Sequence, residues 1–398
     1  MLSFDILAKE KGARAAKVVT LHGAVETPCF VPVGTHAAVT GLSVDDLRNI
    51  GSQVIITNAY HLHLRPGENI IGRMGGLHRF MGWDGPLMTD SGGFQIFSLG
   101  AGKEHGVGKI APIFPEGGDR GGHLTSKVGR PLVKVHEDGV DFVSYLDGTS
   151  HRFTPERVIE IACILGADIT LVLDECTSPF HDYEHTKAAM KRTHRWAIRA
   201  LEKFNHIHVK RLSLLGIVQG GCYRDLREES AAFIGGQDFD GYAIGGSLGG
   251  SKDHMYQVLE WTIPILPEEK PRHLLGIGEI EDIFEIVSRG VDLFDCITPT
   301  RMARGGAFFS KSAKRFRIHI LNNQFKNDPG PIEETCNCYT CRNYSRAYLR
   351  HLYVAKELLA IRLGVIHNLH FLESLMQQIR GAIKENRFSQ LMRKWSQR

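Results

Sequence analysis

Short apolar, β-branched runs recur along the chain. They fall at residues 30–33, 54–57, 87–89, 169–173, 214–218, 242–244, 273–277 and 291–294. Between them lie segments whose apolar residues return every three or four positions, among them 43–50, 184–204 and 279–289, the signature of helices with one buried face. Eight strands alternating with helices predict an α/β fold of the (β/α)8 TIM-barrel type. A doubly wound open sheet is the alternative. Two regions do not fit a minimal barrel. Residues 100–129 are rich in glycine and read as a loop excursion. Just after it, 132–136 and 142–146, split by Glu137-Asp138-Gly139, read as an inserted β-hairpin. Beyond about Ala307 the strand–helix rhythm gives way to longer helical patterns. The expected division is a barrel over 1–306, with an insertion near 100–150, and a C-terminal subdomain over 307–398.

Composition narrows the class. The chain has 398 residues, 42% hydrophobic and 23% charged, enough to bury a large core without covalent staples. No apolar run approaches the roughly 18 residues that a membrane span requires. The first residues, 1–14, hold a short apolar patch followed by charge and no secretory h-region. A cytoplasmic protein with no membrane partner is therefore expected. The net charge of +4 is too small to name a polyanionic partner. Its distribution is more telling: Lys311, Lys314, Arg315 and Arg317 cluster, as do Arg387, Arg393, Lys394 and Arg398, so the C-terminal part is a candidate phosphate-contacting surface.

Of the eight cysteines, Cys29, Cys163, Cys176, Cys222 and Cys296 are scattered singly, as suits reduced thiols. The other three crowd into Cys336-Asn337-Cys338-Tyr339-Thr340-Cys341, and His367 follows. Three thiolates and an imidazole fill a tetrahedral shell and leave no open position, so the expected cofactor is one structural Zn2+ per chain. Periodicity does not separate His367 from His351 and His370 as the fourth ligand.

A barrel places its active site at the C-terminal ends of the strands. The residues there are Asn58, Asp90, Asp174, Gln219, Gly245-Gly246 and Asp295. An Asp after a strand is often only a helix cap, but three of them sit in unusual surroundings: Asp90-Ser91-Gly92-Gly93-Phe94-Gln95, Leu173-Asp174-Glu175-Cys176 and Phe294-Asp295-Cys296. Paired carboxylates suit chemistry at a glycosidic carbon, one as nucleophile and one as acid and base. An aspartate, an amide side chain and exposed glycine backbone suit the edge of a guanine-like base. The carboxylate accepts from N1–H and the exocyclic amine, and an amide or backbone N–H donates to O6.

The motifs together resemble the tRNA-guanine transglycosylases. They are Thr57-Asn58-Ala59-Tyr60-His61-Leu62, Thr89 to Gln95, Asp174-Glu175-Cys176, Gly216-Ile217-Val218-Gln219-Gly220-Gly221, Phe294-Asp295-Cys296 with Pro299-Thr300-Arg301, and the cysteine–histidine set, in the family's order. The resemblance implies base exchange at the wobble guanosine of tRNAs with a G-U-N anticodon, without a soluble cofactor. Asp295 would be the nucleophile and Asp90 the general acid and base. Asp174, Gln219 and the Gly246 backbone would hold the base edges, with Ser91 beside them, and Phe94 and Leu275 would sandwich its ring. Arg301 and Arg304 would contact the anticodon loop. The resemblance also selects His367 as the fourth metal ligand, and implies a homodimer and a 7-deazaguanine base as the incoming substrate.

One segment departs from the family's pattern. Where bacterial members read Gly-Gly-Leu-Ala-Val-Gly-Glu, this chain has Gly245-Gly246-Ser247-Leu248-Gly249-Gly250-Ser251. Loss of a valine at Gly249 implies a roomier pocket, and loss of a glutamate at Ser251 a less anionic one. Eukaryotic members share the glycine, whereas Cys176 follows the bacterial pattern. The expectation is a preference for queuine over 7-aminomethyl-7-deazaguanine. Accessory subunits of the eukaryotic enzyme lack the full set of carboxylates that this chain carries. Archaeal members acting on the D-arm usually carry a C-terminal RNA-binding extension, and no such extension is expected here.

Overall fold

The computed structural model describes residues 2–97, 132–207, 212–249 and 251–396. The glycine-rich stretch 100–129 lies outside the described residues.

Sixteen strands are present among the described residues. The first three, β1 (Ser3–Glu10), β2 (Ala13–Thr20) and β3 (Gly23–Thr27), form an antiparallel meander. The reading of 1–14 as a patch followed by charge missed it. The pattern was there: Phe4, Ile6 and Ala8 are partly buried while Ser3, Asp5, Leu7 and Lys9 are exposed, a period of two.

Eight strands then compose one parallel sheet. They are β4 (Cys29–Val31), β5 (Ile55–Thr57), β6 (Leu87–Thr89), β10 (Ile169–Leu171), β11 (Ser213–Val218), β12 (Gly241–Ile244), β13 (Arg272–Leu274) and β14 (Leu293–Asp295), in the order β4-β14-β13-β12-β11-β10-β6-β5. A parallel bridge between Val33 and Ile56 joins the segment after β4 to β5, the two ends of that order. This is the connectivity of a (β/α)8 barrel, as expected, and each strand coincides with or overlaps the apolar run that announced it.

The insertion holds one strand more than the expected hairpin. β7 (Val133–Val135) and β8 (Val140–Val143) pair antiparallel, and β9 (Ser150–Phe153) adds to β8. β9 reads Ser-His-Arg-Phe, three polar residues in four, which is why no apolar run betrayed it. Two last strands, β15 (Ala307–Phe309) and β16 (Arg317–His319), also pair antiparallel.

The chain divides into two compact units, one of residues 1–2, 58–80 and 87–273, the other of 3–57, 81–86 and 274–398. In the first, β6, β10, β11 and β12 lie side by side, and the helices α1 (Ala59–Leu64), α2 (Pro155–Leu165), α3 (Tyr183–Ile207), α4 (Arg224–Gly235) and α5 (Lys252–Thr262) follow their strands. β11 and β12 are buried at every position, which explains their unbroken apolar runs. The insertion is anchored by rings: Tyr60 lies 5.2 Å from Phe142, and Phe142 lies 5.1 Å from Phe153, centroid to centroid.

In the second unit, β4 pairs with β14, and Arg14 and Asp292 form a buried, bidentate ion pair with bonds of 2.8 and 2.5 Å. The helix α6 (Thr298–Arg304), β15 and the long helix α7 (Leu358–Lys384) are stitched by one side chain. Asn368 on α7 donates to the carbonyls of Pro299 at 2.9 Å and Ala307 at 3.1 Å, and accepts from the Phe309 N–H at 3.0 Å. Phe308, Ile320, Ile332, Leu349 and Leu363 form the core of the C-terminal part. No helix among the described residues is long and apolar enough to cross a membrane.

Candidate active site and metal centre

Asp90 follows β6 and meets Asn58, which follows β5. The Asn58 Nδ2 donates to one carboxylate oxygen at 2.5 Å, and the N–H groups of Ala59 and Gly92 donate to the other at 3.0 and 3.1 Å. Asn58 is also the N-cap of α1, where its Oδ1 accepts from the His61 N–H at 3.0 Å. A single amide thus starts the helix and aims the acid. Asparagine is suited to this because its side chain carries both a donor and an acceptor.

Next to Asp90 in the chain, Ser91 hydrogen-bonds the buried Asp174. Burial pushes the Asp174 carboxyl up to about 6, against hydrogen bonds from Gln219 and Ser91 that favour its anion. Gln219 Nε2 donates to Asp174 Oδ2 at 2.5 Å. The other end of that amide, Oε1, is buried with no hydrogen-bond partner among the described residues, a rare condition that asks for a reason. Oε1 lies against Gly246, where a Cβ would come within 2.0 Å of it at a φ of +75°. Only glycine fits there. The Gly246 N–H rests on the Cys176 sulfur, a weak acceptor. Asp174, Gln219 and Gly246 are therefore gathered at one place. They offer a carboxylate, an amide with an unused oxygen and a loosely held backbone donor.

Of the remaining expected residues, all but Phe94 belong to the second unit. Asp295 ends β14 and accepts from the Gly276 N–H at 3.4 Å. Leu275 lies in the turn just after β13 and is partly buried. Arg301 and Arg304 are exposed on α6. Phe94, in the first unit, is 53% exposed, a large ring in water that could cover a flat ligand.

The variant segment is not the open space that its sequence suggests. Gly249 has a φ of +88°, and a Cβ there would fall 2.5 Å from the Cβ of His254. The volume freed by the missing valine is occupied by His254, and the backbone itself favours glycine. Ser251 is the N-cap of α5 and accepts from the His254 N–H at 3.2 Å.

Cys336, Cys338, Cys341 and His367 place their ligand atoms within 4.8 Å of one another. His367 Nδ1 stands 3.8, 3.7 and 3.2 Å from the sulfurs of Cys336, Cys338 and Cys341. Edges of about 3.3–3.8 Å are those of a tetrahedron with metal–ligand bonds of about 2.0–2.3 Å. The other ring nitrogen of His367 contacts the Phe309 carbonyl at 2.7 Å, which fixes the tautomer that leaves Nδ1 for a metal. His370 reaches the Cys336 sulfur at 3.7 Å but is not part of the four-ligand group, and His351 is exposed. The set can hold a metal ion, as expected from the spacing.

Sequence reasoning missed two residues behind the site. Arg227 and Ser230 lie on α4 and are buried. Nothing in the sequence distinguished this arginine from the others of its helix except its place on the apolar face.

The chain matches the family described as queuine tRNA-ribosyltransferase over residues 9–113 and 118–398. A protein from Archaeoglobus fulgidus named putative queuine tRNA-ribosyltransferase is 50% identical over 99% of both chains. Proteins named queuine tRNA-ribosyltransferase from Roseiflexus sp. and Desulforudis audaxviator are 46% and 45% identical, covering 99% and 98% of this chain and 99% and 96% of their own. With nearly its whole length matched, and with the motifs above in place, the chain belongs to the queuine tRNA-ribosyltransferase family, the tRNA-guanine transglycosylases, and is a pentosyltransferase acting on tRNA.

Proposed function

We propose that this enzyme exchanges guanine-34 in tRNAs with a G-U-N anticodon (those for Asp, Asn, His and Tyr) for a 7-deazaguanine base, by double displacement. The observation that carries the reading is the gathered set of Asp174, Gln219 with its orphaned Oε1, and Gly246. Asp174 accepts from N1–H and the exocyclic amine, and the Gly246 N–H, or the second hydrogen of Gln219 Nε2, serves O6. A site built to pair every polar group of its ligand rejects analogues that leave one unpaired, by about 10⁴-fold or more. Ser91 holds Asp174, and Phe94 and Leu275 sandwich the ring.

The Asp295 carboxylate attacks C1′ as the C1′–N9 bond breaks. The electron pair leaves on guanine, and Asp90 supplies a proton to it. The incoming base gives its N9 proton to Asp90 and attacks C1′, which breaks the aspartyl ester and frees the enzyme. Arg301 and Arg304, exposed on one helix, contact the anticodon loop. The metal is zinc, one per chain, in a closed shell that holds the part from residue 307 onward together and activates no water. The enzyme acts in the cytoplasm as a homodimer.

Queuine remains the favoured incoming base. What supports it is the absence of a carboxylate at position 251 to pair with an aminomethyl cation, rather than extra room at Gly249, which His254 occupies. A ratio of kcat/KM tenfold in favour of the aminomethyl base would reverse that assignment.

Asp295→Asn tests the whole scheme. Wild-type enzyme incubated with tRNA gives a covalent adduct on a denaturing gel, and the variant gives none. Persistence of the adduct in the variant removes Asp295 from the nucleophile's role.

A further inference from the structure

Two members of the base-edge set, Gln219 and Gly246, come from two loops, 219–221 after β11 and 245–247 after β12. Neither loop is regular structure, yet both present groups whose placement decides what is bound. Both are held from behind by the same guanidinium.

Arg227 is completely buried. Its Nε donates to the Gly221 carbonyl at 2.6 Å and one terminal nitrogen to Val218 at 3.1 Å. The other terminal nitrogen donates to Gly245 at 3.0 Å and to Ser247 at 2.9 Å. Burying a cation among main-chain dipoles is costly, and burial pulls its pKa down to about 10, which still leaves it protonated at neutral pH. An apolar side chain of similar volume would fill the same space without that cost. The acceptors explain the choice. Val218 precedes Gln219, and Gly245 and Ser247 flank Gly246. In a trans peptide the carbonyl and the following N–H point in opposite directions. With the Gly245 carbonyl drawn to Arg227, the Gly246 N–H is turned to the far side, where it rests on Cys176.

Ser230, one turn further along α4, holds the first loop a second way. Its Oγ accepts from the Gln219 N–H at 3.1 Å and lies 3.0 Å from His194 Nε2. Burial pushes His194 down to about 4, so its ring is neutral at pH 7 and either accepts the hydroxyl proton or donates to the hydroxyl oxygen, according to its tautomer.

We infer that Arg227, with Ser230, is a positioning residue for base recognition. It locks the two loops to each other so that Gln219 and the Gly246 N–H meet the base in one fixed geometry. This rests on the base-edge reading above. Arginine is suited because its planar fork reaches several carbonyls at once, which the single ammonium of lysine does not. The lock acts before any ligand arrives, and its loss shows most in the free base, which has no other contacts, and least in tRNA, whose affinity comes mainly from its phosphate backbone.

The test is incorporation of labelled guanine into tRNA by Arg227→Lys, Ser230→Ala and Gln219→Ala, with KM measured separately for guanine and for tRNA. Arg227→Lys raises the KM for guanine by about tenfold or more and leaves the KM for tRNA within about twofold. Ser230→Ala raises it several-fold. In Arg227→Ala, added guanidinium at millimolar concentration restores part of the loss. A residue that only stabilised the fold would lower Vmax and Tm with the KM for guanine unchanged, and that result in Arg227→Lys and Ser230→Ala overturns the inference. Gln219→Ala separates the two levels. If it raises the KM for guanine while the α4 variants do not, the lock is wrong and the base-edge reading stands. If it leaves the KM unchanged, that reading fails and the lock with it.

Discussion

Gln219 donates to Asp174 across 2.5 Å, and the carboxyl it meets is buried, with its pKa pushed up to about 6 by desolvation. The site thus keeps a carboxylate where it is costly to hold one. Below the ordinary value of 3.8 the group is protonated in both folded and unfolded chains. Between 3.8 and about 6 the folded state binds more protons, so stability falls as pH rises through that window, and the penalty then stays. The difference of about two units corresponds to about 3 kcal/mol. Asp174→Asn should therefore melt higher than wild type at pH 7–8, with the gap closing toward pH 4, while base exchange is lost because an amide does not accept two N–H donors side by side. In the wild type the KM for guanine should climb as pH falls through about 6. A variant that is no more stable at pH 8 than wild type would show that the carboxylate is not held at a cost.

Glu373 gives a cleaner case of the same physics away from the site. It sits on α7, buried, with Oε1 lacking a partner among the described residues. Burial raises its pKa to about 8 and the Arg380 charge offsets this only in part. The folded state holds a proton that the unfolded chain releases above about 4.5, so stability declines from pH 4.5 to about 8. The full effect is of order 5 kcal/mol at most. Glu373→Gln removes the titration. Its Tm should equal or exceed wild type at pH 5 and pull ahead by several degrees at pH 8.5. Parallel curves across that range would refute the assignment.

These two carboxyls also mark what the sequence could and could not convey. Asp174 stood out because Leu-Asp-Glu-Cys follows an apolar run, at a position where a barrel strand ends. Glu373 did not, since a glutamate at a buried position on a 27-residue helix leaves the helical period intact. The eight barrel strands were legible because burial on both faces writes a continuous apolar run. β9 was not, because three of its four residues are polar and its stability comes from pairing with β8. Metal spacing was legible except for a choice among three histidines, which the family resemblance made in favour of His367 and which the grouping of His367 with the three sulfurs bears out. Arg227 was invisible for a simpler reason: its partners are backbone carbonyls, which have no letter in the sequence.

Gly249 illustrates the opposite error, a letter that suggests too much. Replacing valine by glycine reads as space, yet the φ of +88° and the Cβ of His254 at 2.5 Å make glycine a backbone requirement. Gly249→Ala should lower stability by about 1–3 kcal/mol. His254→Ala should not rescue it, because the offending atom is the Cβ that alanine retains. If Gly249→Ala instead keeps the wild-type Tm and shifts the preference between queuine and the aminomethyl base, then the glycine is there to make room.

The metal centre ties together three stretches of chain: residues 336–341, the long helix α7 through His367, and β15 through the Phe309 carbonyl. Removing the ion leaves three thiols and an imidazole crowded within 4.8 Å, with no attraction to replace the metal bonds. A strong chelator should therefore lower Tm by several degrees and loosen the region from 307 to 398, seen as faster hydrogen exchange there, while adduct formation at Asp295 declines only as the fold is lost. Elemental analysis should find one zinc per chain. The two neighbouring histidines divide the outcome. His367→Ala should lose the metal and reproduce the chelated state. His370→Ala should keep both metal and stability, since its Nδ1 approaches Cys336 at 3.7 Å and stands outside the four-ligand group. Loss of the metal in His370→Ala with retention in His367→Ala would exchange the roles of the two residues.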